Sequence, residues 1–583
     1  MFASQFRGHW IVGLLCLIAV VPASAQSFRV QCPSSTTMHA KDTTGAYTGP
    51  ATINKTFTRS DGSTYMVPYV NNGGGINCQQ ISGGDGFATM GDGTPTYLFG
   101  FGPLSGVADL ANGLPATQIA SVFNTNNLDS TGAILPSIYV GAPIDQTTAT
   151  ITANYSFNGA VGLVPDQLAN TFDATTGKAT LNCALNANAA NPACLTGHVD
   201  PRLIMDVGVM NANQPAPLMA IDEDDEFFLT LTNVGMIMRP DLFEQHTVHF
   251  HGYPNASSFY DGVPDASVAI TIGGSFTYYY MAPDAGTYFW HCHISPPEHL
   301  QMGMVGQLYV RPRQNRVPVN TSLWASLAGS APPTATAVPG TSPPTDPTTV
   351  KGQQSDLRTA CHTEGILCST PIPPANNAVR ATTGMYAYND GDGSTHYDVE
   401  YPIQIHGFDP NFHFVGMTFN PESFVDMKDK YFLLNGRSYP DTVQPGTMVT
   451  QSTDGVSHAS QPLPTIINIP VGGRALLRIS DLDVTEYQTL ASLGIPMSVV
   501  GLNARLLRDL AGNNMYYTTN SITLAGGESI DVILDATGYT AGQKFYLYTP
   551  NLDHLSNDAE NFGGLMTEVN ICTTVDPQTK ACQ

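Results

Sequence analysis

A β-strand pattern begins at Glu226-Phe-Phe-Leu-Thr-Leu-Thr-Asn233. Four further runs of apolar and β-branched residues follow it, with Gly, Pro and Asp between them: Ser267-Val-Ala-Ile-Thr-Ile272, Gly273-Gly-Ser-Phe-Thr-Tyr-Tyr-Tyr280, Gly286-Thr-Tyr-Phe-Trp290 and Gly306-Gln-Leu-Tyr-Val310. Short strands separated by turn residues in this way are typical of a two-sheet sandwich. The pattern therefore predicts a Greek-key β-sandwich.

A second region, residues 375–583, repeats this pattern. Lys544-Phe-Tyr-Leu-Tyr548 corresponds to Thr287-Tyr-Phe-Trp-His291, and the run Ala525–Leu534 corresponds to Ile272–Tyr280. Repetition of one strand pattern indicates two units of similar topology. The sequence therefore predicts an all-β chain with two Greek-key sandwiches in tandem.

The rest of the chain sets the expected domain boundaries. Residues 26–200 are rich in Gly, Asn, Thr and Ala, and we interpret them as an irregular β-rich N-terminal extension. Residues 316–374 include a Pro/Thr/Ser-rich segment without an apolar pattern, which is typical of a linker or an exposed loop. The first sandwich is thus expected at 201–315 and the second at 375–583.

Charge and composition exclude one class of partner. The chain has 583 residues, of which 12% are charged, and its formal net charge is −24. This charge would repel a phosphate backbone, so nucleic acid is not an expected partner. Metal cations and cationic partners remain compatible with it.

The first 25 residues have the pattern of a signal peptide. Arg7 and His9 precede an apolar run that ends at Val21, and Ala23-Ser-Ala25 supplies the small residues of a cleavage site. The alternative is a membrane anchor, but the run is short for a span of about 20 residues. We expect a secreted protein, periplasmic or extracellular, with no membrane span after the signal is removed.

The cysteines agree with an oxidising compartment. Of the ten, Cys16 leaves with the signal and Cys292 lies among histidines. The other eight form couples that are close in sequence: Cys32/Cys78, Cys183/Cys194, Cys361/Cys368 and Cys572/Cys582. An even number of cysteines in a secreted protein suggests disulfides, although proximity in sequence does not fix their connectivity.

Two short segments concentrate histidines around Cys292. They are His246-Thr-Val-His249-Phe-His251-Gly252 and Trp290-His-Cys-His-Ile-Ser-Pro-Pro-Glu-His-Leu-Gln-Met-Gly-Met304. A thiolate with two imidazoles and a long axial thioether stabilises both Cu(I) and Cu(II). The residues that supply this set are His246, Cys292, His299 and Met304, with Met302 as a competing thioether.

The other histidines of these segments predict a second metal position. Because side chains alternate along a strand, His291 and His293 face away from the Cys292 side chain, and His249 and His251 share one face. Four imidazoles would then converge on a second metal. A buried histidine is more often only hydrogen-bonded, and zinc also binds cysteine and histidine, but zinc needs neither the thioether nor the extra imidazoles. The joint pattern favours copper.

At these residues the chain resembles the multicopper oxidases, the laccase-like family that also includes the copper nitrite reductases. The family pairs H-x-x-H-x-H-G with H-C-H-x(n)-H-x(4)-M, and the resemblance is specific over about 222–312 and diffuse over 375–583. It implies cupredoxin-like sandwiches and a type 1 copper at His246, Cys292, His299 and Met304. It also implies type 2/type 3 coppers at His249, His251, His291 and His293.

The second sandwich departs from the family pattern. A three-copper cluster in this family takes four histidines from each of two domains, whereas here no histidine aligns with His246, His249 or His251. The second sandwich is therefore expected to lack copper ligands. His554 is the best candidate to complete a copper site at the interface of a homo-oligomer, with a trimer implied by resemblance only.

These features predict a copper-dependent oxidoreductase that takes electrons at the type 1 copper and passes them to a second copper centre, reducing oxygen. The alternatives are a blue-copper electron-transfer or copper-binding protein without turnover, and a nitrite-reductase-like enzyme with an intersubunit copper. The electron donor would be a small molecule, a metal ion or a redox protein. Asp261 and Glu298 flank the ligands and are expected to orient imidazoles or relay protons.

Overall fold

The computed structural model describes most of both predicted sandwiches. The described residues are 75–106, 109–123, 210–252, 257–324 and 373–583, with gaps at 111–112, 283, 419–422, 454, 456, 510 and 578, together with residues 32, 33, 36 and 39. Five short strands between residues 53 and 180 are described by their backbone. The regions outside the described residues include the predicted signal 1–25, the couples Cys183/Cys194 and Cys361/Cys368, and linker residues 325–372.

Strands dominate the described chain, which confirms the all-β prediction. The strands up to residue 311 are β1 (Ile53–Thr58), β2 (Thr64–Tyr69), β3 (Ile76–Thr89), β4 (Pro95–Pro103), β5 (Gln118–Ile119), β6 (Ala133–Ile134), β7 (Phe172–Asp173), β8 (Lys178–Thr180), β9 (Met219–Asp222), β10 (Glu226–Gly235), β11 (His249–Phe250), β12 (Ser275–Met281), β13 (Gly286–His291) and β14 (Val305–Arg311).

The later strands and the helices complete the set. The strands are β15 (Met385–Tyr386), β16 (His396–Tyr397), β17 (Val399–Phe408), β18 (Tyr431–Leu434), β19 (Met448–Gln451), β20 (Ser457–Gln461), β21 (Ile467–Pro470), β22 (Arg474–Asp481), β23 (Gln488–Leu493), β24 (Met497–Leu502), β25 (Arg505–Leu506), β26 (Tyr517–Thr519), β27 (Ser521–Leu524), β28 (Glu528–Asp535), β29 (Lys544–Tyr548) and β30 (Met566–Cys572). The helices are α1 (Ala120–Phe123), α2 (Pro296–Gln301) and α3 (Pro410–Met417), with 3-10 turns at Ser258–Tyr260, Arg313–Arg316, Phe424–Asp426 and Asp441–Val443.

The first sandwich has two sheets around an aromatic core. One sheet has the order β12-β10-β3-β4, with β5 beside β3, and the other has the order β11-β13-β14-β9. The chain changes sheet at every connection from β9 to β13, which is a Greek-key arrangement. Phe227, Leu229 and Leu231 alternate from β10 into the core that holds the fully buried Trp290, because successive side chains of a strand face opposite sides.

The expected boundary at residue 200 is wrong for the described part of the N-terminal extension. β3 pairs in parallel with β10, beginning with Ile76 opposite Glu226, and β4 pairs antiparallel with β3. Phe99 and Phe101 of β4 lie in the same core as Trp290. Residues 76–103 are therefore regular strands of the first sandwich.

Glycines explain why the sequence pattern missed these strands. A Cβ on Gly83 would lie 2.8 Å from His246 Cδ2, and a Cβ on Gly102 would lie 2.3 Å from the carbonyl oxygen of Asn211. Since close approach of neighbouring groups requires glycine at such positions, the apolar alternation that marks most strands is interrupted.

A second difference concerns the run Ser267–Ile272, which was expected to form a strand. The structure has a single bridge there, between His246 and Ile270, with both backbone hydrogen bonds at 3.0 Å. The segment that faces this run belongs to no strand, so pairing does not extend beyond one residue pair. The bridge nevertheless fixes the backbone of His246.

The second sandwich confirms the tandem prediction. Its sheets have the orders β18-β17-β22-β28-β24-β25, with β26 beside β24, and β21-β30-β29-β23-β27. They enclose a separate core that includes Ile403, Leu477, Val532 and Leu547. The two runs that repeat the first sandwich form β28 and β29.

Charged groups join the two sandwiches. Glu400 of β17 accepts hydrogen bonds from Arg311 of β14 at 2.5 Å and from Arg478 of β22 at 3.1 Å. Thr287 of β13 donates to Asp531 of β28 at 2.6 Å. A buried carboxylate that is paired with guanidinium groups on both sides of the interface fixes their relative position.

Two of the expected cysteine couples are disulfides. Cys32 bonds Cys78, and Cys572 bonds Cys582. Cys292 is the free cysteine of the described residues, and it is buried. Within the same part of the chain, no helix has both the length and the apolar character needed to cross a membrane.

Candidate metal centre

The predicted sulfur and two imidazole nitrogens converge in one buried group. Cys292 Sγ lies 4.0 Å from His246 Nδ1 and 3.2 Å from His299 Nδ1. The candidate ligand atoms of these three residues all lie within 4.8 Å of one another, and the three side chains are fully buried. We refer to this group as the thiolate cluster.

Each member of the thiolate cluster is fixed by its local backbone. His246 is held by its bridge with Ile270, Cys292 follows β13 directly, and His299 lies in α2. The N–H of Cys292 donates to the carbonyl of Met304 at 3.1 Å, and the N–H of Met304 donates to the carbonyl of His299 at 2.8 Å. The loop from Cys292 to Met304 therefore closes on itself and brings its ends together.

The predicted thioether is placed beside these residues. Met304 and the competing Met302 are both fully buried in the core that contains Cys292. Met302 is also engaged through its backbone, because its carbonyl accepts from the N–H of Phe99 at 3.0 Å. The choice of Met304 as axial ligand stays a prediction based on the His-x(4)-Met spacing.

The electrostatics of the thiolate cluster favour a cation. Burial alone would raise the pKa of Cys292, but the adjacent imidazoles of His299 and His246 outweigh burial and hold that pKa well below its usual value of 9.0. Burial alone would lower the pKa of His299, but the Cys292 thiolate and Glu244 raise it to about 10. Without a metal, a thiolate and an imidazolium thus lie side by side. A metal cation bound there would replace the proton.

The donor set fits copper. One thiolate, two imidazoles and a nearby thioether are soft and borderline ligands, which suit both copper oxidation states. The backbone N–H of Thr247 lies 3.4 Å from Cys292 Sγ and donates to it. A hydrogen bond to the sulfur is one of the ways in which a protein tunes the potential of such a site.

Two residues of this site were missed by sequence reasoning. Glu244 Oε2 lies 3.6 Å from His299 Nε2, and the Glu244 side chain is 24% exposed, so it links a buried imidazole to the surface. Gly83 leaves the space that the His246 ring occupies. Glu244 lies only two residues before His246, which is a signal that could have been used; the contact with Gly83 depends on the pairing of β3 and gave no sequence signal.

A second group of imidazoles lies on the other side of Cys292. His249, His251 and His291 offer ligand atoms within 4.8 Å of one another. His249 of β11 is directly opposite His291 of β13, and the Nε2 atoms of His251 and His291 are 2.9 Å apart. We refer to this group as the histidine cluster.

Hydrogen bonds orient two rings of the histidine cluster. His249 Nδ1 donates to the carbonyl oxygen of Asp261 at 2.7 Å, and His291 Nδ1 donates to the carbonyl oxygen of Cys292 at 2.7 Å. A proton on Nδ1 leaves the lone pair of Nε2 available for a metal. Asp261 thus orients an imidazole as expected, chiefly through its backbone, since its carboxylate lies 3.6 Å from the same nitrogen.

The histidine cluster is ready to accept a metal at neutral pH. Burial, together with neighbouring imidazoles, lowers the pKa of His251 to about 4 and that of His291 to about 3. Burial also lowers the pKa of His249. Neutral imidazoles do not have to release a proton before they bind a metal.

His293 and Glu298 lie close to these groups. The His293 ring is 4.8 Å from the His249 ring and 5.5 Å from the His291 ring, while its backbone N–H donates to Thr247 Oγ1. His293 therefore borders the histidine cluster but is not among its three converging residues. Glu298 lies in α2 and is nearly buried, and its charge helps to raise the pKa of His299.

The role expected for His554 at a subunit interface stays a prediction, and within this chain the side chain already has partners. Its Nδ1 lies 2.9 Å from Gln488 Oε1, its Nε2 lies 2.7 Å from Glu486 Oε2, and its ring stacks on Phe432 with centroids 4.1 Å apart. The side chain is 4% exposed. Both ring nitrogens of His554 therefore have partners within the chain.

The second sandwich supports the first one near these sites. Ring nitrogens of His406 and His413 lie 2.8 and 3.0 Å from the carbonyl oxygens of Leu300 and Gln301, directly after His299. Among the described residues, both groups of three that could hold a metal lie in the first sandwich.

A cleft separates the histidine cluster from the second sandwich. This cavity has a volume of about 430 Å³. The first sandwich lines it with His251, His291, Phe289 and part of α2, and the second lines it with residues 482–487 and 525–527. A small molecule in the cleft would contact both sandwiches.

Comparison with known proteins supports this interpretation. The family model described as "Multicopper oxidase" matches residues 197–315. Laccase abr2 of Aspergillus fumigatus is 33% identical over 109 residues, 18% of this chain and 17% of that protein, and multicopper oxidase MCE of Talaromyces pinophilus is 33% identical over 112 residues, 19% of this chain and 17% of that protein. The structure of a blue copper oxidase from Nitrosomonas europaea covers 62% of this chain and 78% of its own, with 19% identity and a TM-score of 0.38. The chain thus spans 17% of the length of both of these curated relatives.

Proposed function

We propose that the chain is a secreted copper-dependent oxidoreductase of the multicopper oxidase family, because residues 197–315 match the model of that family. Its type 1 copper would be held by His246, Cys292, His299 and Met304. Its second copper centre would be held by His249, His251, His291 and His293, with dioxygen as the electron acceptor. Bound copper would supply the one-electron redox chemistry at both places.

One observation carries this proposal: His291, at the end of β13, and Cys292, which follows it directly, belong to different clusters. Cys292 points into the thiolate cluster, and His291 points into the histidine cluster. The two side chains are joined by a single peptide unit, and the hydrogen bond from His291 Nδ1 to the Cys292 carbonyl oxygen gives a second connection between the two residues. Electrons would therefore have a short route between the centres. A protein that only carries electrons would not need the second cluster.

Electrons would enter beside Glu244. Its carboxylate joins the surface to His299, and its pKa is lowered by the hydrogen bond to that imidazole, in spite of partial burial. The neighbouring Phe243 is 84% exposed. A metal cation or a phenol hydroxyl would approach the Glu244 carboxylate. Such an entry point fits a small electron donor better than a bulky one.

The second centre would be completed within one chain. The second sandwich lines the same small cavity as the histidine cluster. His554 is buried. We therefore favour an intrachain site over the nitrite-reductase-like arrangement between subunits. The two disulfides support a location outside the reducing cytoplasm.

Copper stoichiometry with visible and EPR spectra of the copper-loaded protein tests the proposal. We expect a blue band and more than one copper per chain. The double variant His249→Ala/His291→Ala should keep the blue band but lose the additional copper and oxygen consumption, whereas the control His396→Ala in the second sandwich should keep both. One blue copper and no second signal would favour an electron-transfer protein, and the absence of a blue band would refute the role of Cys292.

A further inference from the structure

A glutamate–histidine pair of the second sandwich faces the histidine cluster across the cleft. Glu486 lines the same cavity as His251 and His291. Its Oε2 lies 2.7 Å from His554 Nε2. Glu486 is 39% exposed, whereas His554 is 4% exposed, so the pair has one member in the cleft and one member in the protein interior.

Neighbouring groups define where the protons of this pair are. Gln488 Nε2 donates to Asp483 Oδ2 at 2.6 Å, which turns the carbonyl oxygen Oε1 of Gln488 towards His554 Nδ1 at 2.9 Å. An amide oxygen only accepts hydrogen bonds, so Nδ1 of His554 must carry a proton.

The second hydrogen bond of His554 then requires one more proton. A histidine protonated on Nδ1 has a bare lone pair on Nε2 if it is neutral. The 2.7 Å contact from this atom to Glu486 is a hydrogen bond only when a proton is present, either on the carboxyl group or on Nε2. The pair therefore holds one exchangeable proton at the wall of the cleft.

The ring of His554 is also fixed in place. It stacks on Phe432 with an interplanar angle of 16° and a centroid distance of 4.1 Å. Hydrogen bonds at both nitrogens and a stacked face leave the ring little freedom, so it holds the Glu486 carboxyl group in a defined position.

We propose that Glu486 is a proton donor to oxygen that is reduced in the cleft, and that His554 is its positioning residue. This inference rests on the proposed oxidase function. Reduction of dioxygen to two waters takes four electrons, from the donor through the type 1 site, and four protons. In each transfer the proton shared by Glu486 and His554 leaves the pair and forms an O–H bond on the reduced oxygen, and a proton from water at the exposed edge of Glu486 replaces it.

The experiment separates the two halves of turnover in the copper-loaded protein. Anaerobic bleaching of the blue band by a donor reports electron entry, and return of the band after mixing with dioxygen reports the oxygen reaction. We expect Glu486→Gln to leave bleaching within twofold of the wild-type rate and to slow the return of the band by about 10²-fold, as for loss of a general acid. A small weak acid, such as formic or acetic acid, should restore the rate in this variant, since it fits in the cleft.

Control variants make each outcome decisive. Glu560→Gln changes an exposed glutamate of the loop that follows His554 and should react at the wild-type rate. Glu486→Asp should recover part of the activity lost in Glu486→Gln. An unchanged return of the band in Glu486→Gln, or a slow return without rescue by weak acid, would overturn the role of Glu486. A wild-type blue band that does not return with dioxygen would instead show that the oxidase proposal itself is wrong.

Discussion

Replacement of Gly83 by alanine should disturb the thiolate cluster, although Gly83 lies far from His246 in the sequence. Gly83 lies on β3, more than 160 residues before His246, and its Cα faces the His246 ring. An added Cβ would lie 2.8 Å from Cδ2, 3.2 Å from Cγ and 3.3 Å from Cβ of His246. Ordinary contacts begin near 3.4 Å, so the imidazole must move by about 0.6 Å.

This displacement is large on the scale of a metal site. Ligands must be held within about 0.5 Å of their productive positions. The contacts involve the Cβ and Cγ atoms as well as the ring edge, so rotation of the ring alone cannot relieve them. Overpacking of this kind costs about 1–3 kcal/mol of folding stability, and the loss of ligand geometry should add a loss of copper affinity.

A neighbouring glycine provides the matched control. A Cβ on Gly84 would lie 2.8 Å from Val234 Cγ2 and 2.9 Å from the carbonyl oxygen of Gly235, with no ligand nearby. Chemical unfolding of the metal-free proteins should show destabilisation in both Gly83→Ala and Gly84→Ala. Copper titration followed by the blue band should show weaker binding and a shifted band in Gly83→Ala alone. Equal copper binding in the two variants would refute the reasoning.

Three further predictions concern charges. Glu244→Gln should slow anaerobic bleaching of the blue band by a cationic donor by about tenfold, and rapid-mixing spectroscopy should find its return with dioxygen unchanged. Copper at the histidine cluster should still be bound at pH 5 in EPR titrations and leave only below about pH 4, because protons compete for the metal-free rings of His251 at about pH 4 and of His291 at about pH 3. Glu400→Gln should cost up to about 3 kcal/mol at pH 7, because it removes the carboxylate that pairs with the buried Arg478 and the partly exposed Arg311, although Arg478 keeps Asp531 at 3.9 Å. Burial would raise the pKa of Glu400, but Arg311 and Arg478 hold that pKa well below 4.5. The stability that Glu400 contributes is therefore present above pH 4.5 and is lost only as the pH falls further. Denaturant unfolding should show that the difference between wild type and variant shrinks at low pH.

Local spacing was sufficient to predict the two clusters. In a strand, neighbouring side chains point to opposite faces, so the placement of Cys292 away from His291 follows from the sequence alone. The distances agree with that argument, since Cys292 lies with His246 and His299, whereas His291 lies with His249.

Long-range pairing could not be predicted in the same way. The contact of Gly83 with His246 exists because β3 lies beside β10, and a glycine-rich strand has little apolar alternation to reveal it. His554 was expected to be available to another subunit because it lies near the end of a strand. The groups that occupy it, Glu486 and Gln488, lie more than 60 residues earlier in the chain, and only the folded sheet brings them together.

Within the part of the chain that the structure describes, both groups of potential metal ligands lie in the first sandwich, and the contacts made by the second sandwich are concentrated next to one of them. Gln301, two residues after His299, donates to Asp429 at 2.8 Å, and His406 and His413 contact the carbonyl groups at the end of α2. A helix of six residues is too short to be stable alone, so these contacts add to the backbone hydrogen bonds of the 292–304 loop that hold His299 near Cys292. The same sandwich also closes the cleft over the histidine cluster. The second sandwich therefore positions residues of the first sandwich that we propose to bind metal.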